Sequence, residues 1–171
     1  LWGHSPLLIE PDRPTLASLC RAQGYATACF GKWHLGLGDR PETDYDEPLR
    51  PGPLELGFDT FQGIPASPDM FPYGWIVDNR LEHPPDTMMN TKKWKPVKEG
   101  KWECRPGPMV KGWDPYENIP TTTRKGVEFI KAQAKDRDRP FFLYFAFPSP
   151  HAPIIPNDRF DGRSGAGAYG D

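Results

Sequence analysis

No apolar run in the 171 residues reaches the ~18 that a bilayer-spanning helix needs. No long basic run exists either: 21 Lys and Arg face 23 Asp and Glu, for a formal net charge of −2. Without a basic stripe to track a phosphate backbone, a nucleic acid is not an expected partner. Cysteine is sparse. Cys20, Cys29 and Cys104 form no C-x-x-C pair and no metal-binding spacing, and an odd count says nothing of the redox compartment. No signal segment opens the chain. It begins at Leu1 rather than Met and stops at "GAYGD", a glycine-rich turn. The expectation is an internal portion of a longer protein.

Proline is abundant, with 22 residues, and glycine adds 17. Average usage is ~5% proline, so much of the chain reads as loop. The 6 Trp, 6 Tyr and 10 Phe argue against disorder, because they supply the area that a core needs.

Two helix–strand units stand out. "PDRPTLASLCRAQGY" reads as a short helix with Asp12 as N-cap, Pro14 in the first turn and Gly24 just past its end. Leu16, Leu19 and Cys20 then share its apolar face. "YATACFG", Tyr25 to Gly31, follows as a buried strand. Near the other end, Val127, Ile130 and Ala134 make a helical stripe, widened by Phe129. "PFFLYFAF", Pro140 to Phe147, reads as a central strand covered on both faces. Between them, Gly57 to Ile64 and Tyr73 to His83 read as short strands, and Pro84 to Pro115 as loop. Helix–strand followed by helix–strand predicts an α/β fold, with a mostly parallel sheet, flanking helices and long loops.

Polar groups collect at the ends of the two strong strands, where open α/β sheets bind ligands. The first ends in "GKWHLG". In an extended chain Lys32 and His34 share a face and Trp33 takes the other. The second ends in "PSPHAPIIP", with His151 held between Pro150 and Pro153. A cation and two imidazoles in one space suit an anionic ligand. Taken singly, each also reads blandly: His34 as a structural imidazole, Lys32 as a solvated strand end, His151 as a turn residue.

"GYATACFGKWHLG", Gly24 to Gly36, resembles a signature of the sulfatases. "PDRPTLASLCRAQGY" resembles the helix before that signature, and "LGFDTFQGIPAS" the segment after it in the arylsulfatase A-like branch. "RPFFLYFAFPSPHAP" resembles the later strand and its histidine loop, and "GRSGAGAYGD" the approach to a further helix. The resemblance implies an alkaline-phosphatase-like fold. It also implies that residues 1–171 are an internal portion of one catalytic domain, with 65–117 a variable, loop-rich insertion.

The resemblance further implies hydrolysis of sulfate esters by a formylglycine, made from Cys or Ser in a Cys-X-Pro-X-Arg motif, beside a bound calcium ion (Ca2+). By this resemblance Lys32 holds a sulfate oxygen, and His34 takes the proton that expels sulfate and restores the aldehyde. His151 contacts the ester near its bridging oxygen, and Ser67 touches substrate. Ser67 reads equally as a plain turn serine after Pro65. The nucleophile motif and the metal ligands have no matching positions. "CRPGP" at Cys104 carries the proline but has Pro108 where arginine is required. The parent protein is therefore expected to be active and these residues alone inactive. The implied partner is a small sulfate ester or a sulfated glycan, and the implied location is exported (periplasmic or extracellular) or lysosomal. Two rival readings stand beside it. One is a phosphodiesterase or phosphonate hydrolase of the same superfamily. The other is a non-catalytic carbohydrate-binding module presenting Trp75, Trp94, Trp102 and Trp113.

Overall fold

The structure, a computed structural model, describes residues 1–89 and 104–171. In chain order its elements are α1 (Leu16–Ala22), β1 (Ala26–Lys32), β2 (Thr60–Ile64), β3 (Ile76–Val77), β4 (Arg80–Leu81), β5 (Thr87–Met88), β6 (Pro108–Met109), α2 (Asn118–Gln133) and β7 (Phe141–Ala146). A short 3-10 turn, Pro115–Glu117, leads into α2.

The main sheet has the order β4-β3-β2-β1-β7. β1 pairs in parallel with both β2 and β7, while β3 and β4 add an antiparallel hairpin beside β2. β5 and β6 form a separate two-stranded ribbon.

Alternation along β1 sorts the layers. Cys29 faces the α1 side, in one core with Ala17, Trp33, Leu56, Phe58 and Phe61. Phe30 faces α2 and meets Phe129 edge to face at 5.8 Å. The sheet therefore carries a helix on each face, the α/β arrangement expected from the sequence. A second core gathers Ile64, Tyr73, Met109 and Trp113 under the ribbon, with Trp75 packed on Trp113. These two tryptophans act as packing anchors; Trp94 and Trp102 lie outside the described residues.

Several expectations are corrected. The α1 cap is Thr15, not Asp12. Thr15 and Ser18 bond reciprocally as a capping box, and the Thr15 hydroxyl also donates to Leu56 O. The α1 face expected to be buried is open, with Leu16 70% and Leu19 56% exposed. Ala17 is the buried contact instead, and the helix backbone at Ala17 and Ser18 lies so close to Gly57 that a Cβ there would clash with it. The stripe on α2 is also open at Val127 and Ile130. Its buried residues are Asn118, Thr121, Thr122 and Gly126, with Gly126 against the ring of Phe145.

β7 is the other correction. Its apolar run predicts a central strand, but it lies at the sheet edge, with Phe141 and Tyr144 exposed. An uninterrupted apolar run reports that both faces are apolar; it does not report how many neighbours a strand has.

Candidate functional site

β1 ends beside the start of the loop that follows β2. Trp33 N donates to Ile64 O and His34 N to Pro65 O, both at 3.0 Å. These two bonds extend the β1–β2 pairing beyond the strands and bring Ser67 alongside His34. Trp33 is 5% exposed, packs edge-on against Phe58 and Phe61, and donates its indole N–H to Gly36 O at 2.7 Å. Burying that ring turns Lys32 and His34 away from the first core.

Lys32 and His34 do converge, though not through an extended chain. His34 has φ +57°, in the left-handed region that a non-glycine residue rarely adopts. Gly31 and Gly36 serve close backbone packing. At Gly31 (φ +112°) a Cβ would lie 2.0 Å from Ala146 O, and at Gly36 (φ +80°) 1.8 Å from Pro6 O.

Both ring nitrogens of His34 are engaged. Nε2 lies 2.9 Å from Leu1 O and Nδ1 lies 3.4 Å from Ser67 Oγ. A carbonyl only accepts, so Nε2 carries the proton in the neutral ring, and Nδ1 faces the Ser67 hydroxyl as acceptor. Burial pushes the His34 pKa down. The Leu1 carbonyl pulls it up, and the nearby positive charge of Lys32 and His151 lowers it further. Burial also lowers the pKa of Lys32, which Asp69 partly offsets.

His151 enters from the loop after β7, where its N–H closes a turn on Pro148 O at 3.0 Å. Its Nδ1 donates to Ala152 O at 2.8 Å and lies 3.7 Å from Asp69 Oδ1. The four residues expected at the site, Lys32, His34, Ser67 and His151, are thus brought to one end of the sheet. Ser67 is 2% exposed, so its hydroxyl meets His34 rather than open space.

Three members, Asp69, Tyr73 and Arg105, escaped the sequence reading. Asp69 is 4% exposed; it pairs with Arg105 and exerts its field on Lys32. Tyr73 buttresses both backbones, donating its hydroxyl to Asp69 O at 2.8 Å and Arg105 O at 2.6 Å. A carboxylate two residues beyond Ser67 was the available signal for Asp69. Arg105 had none, since its place beside Asp69 depends on a contact 36 residues away.

Cys104, in the imperfect nucleophile motif, is buried. Its thiol donates to Pro68 O at 3.6 Å, and burial, with Asp69 nearby, pushes its pKa up to about 12. An inaccessible, high-pKa thiol is no nucleophile. Beside His151 opens a cavity of about 360 Å³, walled by Pro68, Tyr116, Phe147, Ile154 and Phe160.

The site gathers a lysine and two histidines at the end of parallel strands of an α/β sheet. Comparison with known proteins defines the class. The sulfatase family model matches residues 8–169, and the chain belongs to that family. It is 31% identical to an N-acetylgalactosamine-6-O-sulfatase of Bacteroides thetaiotaomicron over 99% of this chain and 38% of that protein. It is 34% identical to bovine (Bos taurus) arylsulfatase A over 99% of this chain and 32% of that protein. A solved B. thetaiotaomicron structure, described under metabolism of multiple glycosaminoglycans, superposes with a TM-score of 0.79 at 28% identity. It covers 99% of this chain and 40% of that one. The fold is the alkaline-phosphatase-like α/β fold. The chain spans well under half the length of these relatives.

Proposed function

We propose that the protein containing this chain hydrolyses sulfate esters, and that residues 1–171 are an internal portion of its catalytic domain, with 65–117 a variable insertion. The observation that carries this reading is the meeting of Lys32, His34 and His151 in a chain that matches the sulfatase model along nearly its whole length.

Lys32 supplies a compact positive charge for a sulfate oxygen. His34, its pKa depressed, is the proton acceptor, since a neutral imidazole is what the task requires. His151 is the donor to the leaving-group oxygen, with Nε2 free of hydrogen bonds to the described residues. Ser67 orients His34 through the 3.4 Å contact, a role beside the substrate contact that the resemblance implies. Preorganised charge and donors of this kind supply much of the rate enhancement where negative charge moves.

A calcium ion and a formylglycine do not fit the residues present. No His, Cys, Asp or Glu group among the described residues is arranged to hold a metal, and Cys29 and Cys104 are buried with raised pKa values. On this reading both come from other parts of the longer protein. Among the described residues no helix is long and apolar enough to cross a membrane. An exported or lysosomal location, and a sulfated glycan as natural substrate, are the finer parts of the proposal. The glycan substrate is supported by the named activity of a relative, an N-acetylgalactosamine-6-O-sulfatase, and the location by family resemblance alone.

The test is turnover by the full-length protein of a small aryl sulfate and of the matching aryl phosphate. Sulfate hydrolysis lost in Lys32→Ala supports the reading. Preference for the phosphate replaces it with a phosphoesterase.

A further inference from the structure

Asp69 is a buried carboxylate with one oxygen in use and one idle. Oδ2 is paired with Arg105, while Oδ1 is buried with no hydrogen-bond partner among the described residues. An unsatisfied buried carboxylate oxygen is costly and calls for an explanation. Among the polar groups around the carboxylate, His151 Nδ1 lies 3.7 Å from Oδ1. That is too long for a hydrogen bond, but a modest turn of the ring closes it, and such contacts commonly tighten only when substrate binds.

The carboxylate itself cannot yield. Its backbone carbonyl accepts from Tyr73 and from Arg105 N, and Arg105 in turn lies over the Trp2 ring at 5.2 Å. The imidazole can: it is half-exposed, on a loop, and among the described residues its ring bonds only its own neighbour's carbonyl.

We infer that Asp69 is a positioning residue for His151, its idle Oδ1 accepting the Nδ1 proton so that Nε2 is aimed at the leaving-group oxygen. Two acceptors then face Nδ1, Asp69 Oδ1 and Ala152 O, and the proton stays there. In the doubly protonated ring Nε2 gives its proton to the ester oxygen, which keeps the electron pair of the broken S–O bond as the sulfur passes to a nucleophile supplied by the rest of the longer protein; the ring is left neutral, its remaining proton on Nδ1. Asp69 touches neither substrate nor sulfur. This inference rests on the sulfate-ester reading of the site.

The test uses the full-length protein and a series of aryl sulfates running from activated nitrophenols to unactivated phenol. Help from a proton donor matters most for the poorest leaving groups. Asp69→Asn is expected to lower kcat on the activated esters less than ~10-fold and on phenyl sulfate ~100-fold. In a His151→Ala background the same change is expected to add no further selectivity. An equal loss across the series overturns the inference, because a merely structural defect is blind to the leaving group. Where Asp69→Asn does not fold, Asp69→Glu decides: it keeps the charge and displaces the oxygen, and again selective loss supports while uniform loss overturns. No turnover of any aryl sulfate by the wild type overturns the sulfate-ester reading and this inference with it; turnover with uniform loss overturns the inference alone.

Discussion

Ser67 Oγ lies 3.4 Å from Nδ1 of His34, and the Leu1 carbonyl lies 2.9 Å from Nε2 on the far side of the same ring. The imidazole is held between an acceptor and a hydroxyl, which sets its tautomer. Removing the hydroxyl removes one long hydrogen bond, worth ~0.5–1.5 kcal/mol. Ser67→Ala in the full-length protein is therefore expected to lower kcat by roughly 3- to 10-fold. Steady-state kinetics check this, and a thousandfold loss would give Ser67 a direct part in the chemistry.

His34 should titrate low. Burial, helped by Lys32 and His151, holds its pKa below 6.5. A base works only when neutral, so activity falls as pH drops through that depressed value. The acid limb of kcat/KM is expected below pH 6.5, measured on the free enzyme's pH profile. Lys32→Met removes one of the repelling charges, and the His34 pKa read by NMR should rise. An unchanged value would remove Lys32 from the causes and leave burial and His151.

Lys32 has no neutral substitute. Loss of a fixed charge against a sulfate oxygen is expected to lower kcat/KM at least ~100-fold in Lys32→Ala. Lys32→Arg should recover part of it, limited by the fork geometry of a guanidinium in a site shaped for a point charge. Full activity in Lys32→Ala would remove the lysine from the site.

Gly31→Ala should break the sheet, not the chemistry. The new Cβ would sit 2.0 Å from Ala146 O, a backbone atom of β7 that cannot swing away. The φ of +112° adds strain for any L side chain. The expected cost is ~3 kcal/mol or more, read as a lowered unfolding midpoint or as lost soluble protein. A variant as stable as the wild type would show that β1 and β7 can part without penalty.

The 171 residues alone should neither turn over an aryl sulfate nor fold tightly. Leu8, Leu16, Leu19, Phe141 and Tyr144 are exposed, and β7 has an open edge. Dye binding to apolar surface and a broad melt are expected; a sharp cooperative melt of a soluble monomer would contradict this.

The sequence by itself determined the α/β class and both strong strands, and it pointed to four residues, Lys32, His34, Ser67 and His151, that the fold brings to one end of the sheet. These were legible because strand periodicity, the "GKWHLG" wording and the "PHAP" loop are local patterns, and the chain-wide resemblance tied them together. The tertiary structure decided the rest. It placed β7 at an edge, opened the α1 face at Leu16 and Leu19, and brought Arg105 and His151 against Asp69. None of these could be read from spacing. Burial depends on what lies across a layer, and the partners of Asp69 are 36 and 82 residues further along the chain. A carboxylate two places beyond a serine is an ordinary turn until the fold sets an imidazole in front of it.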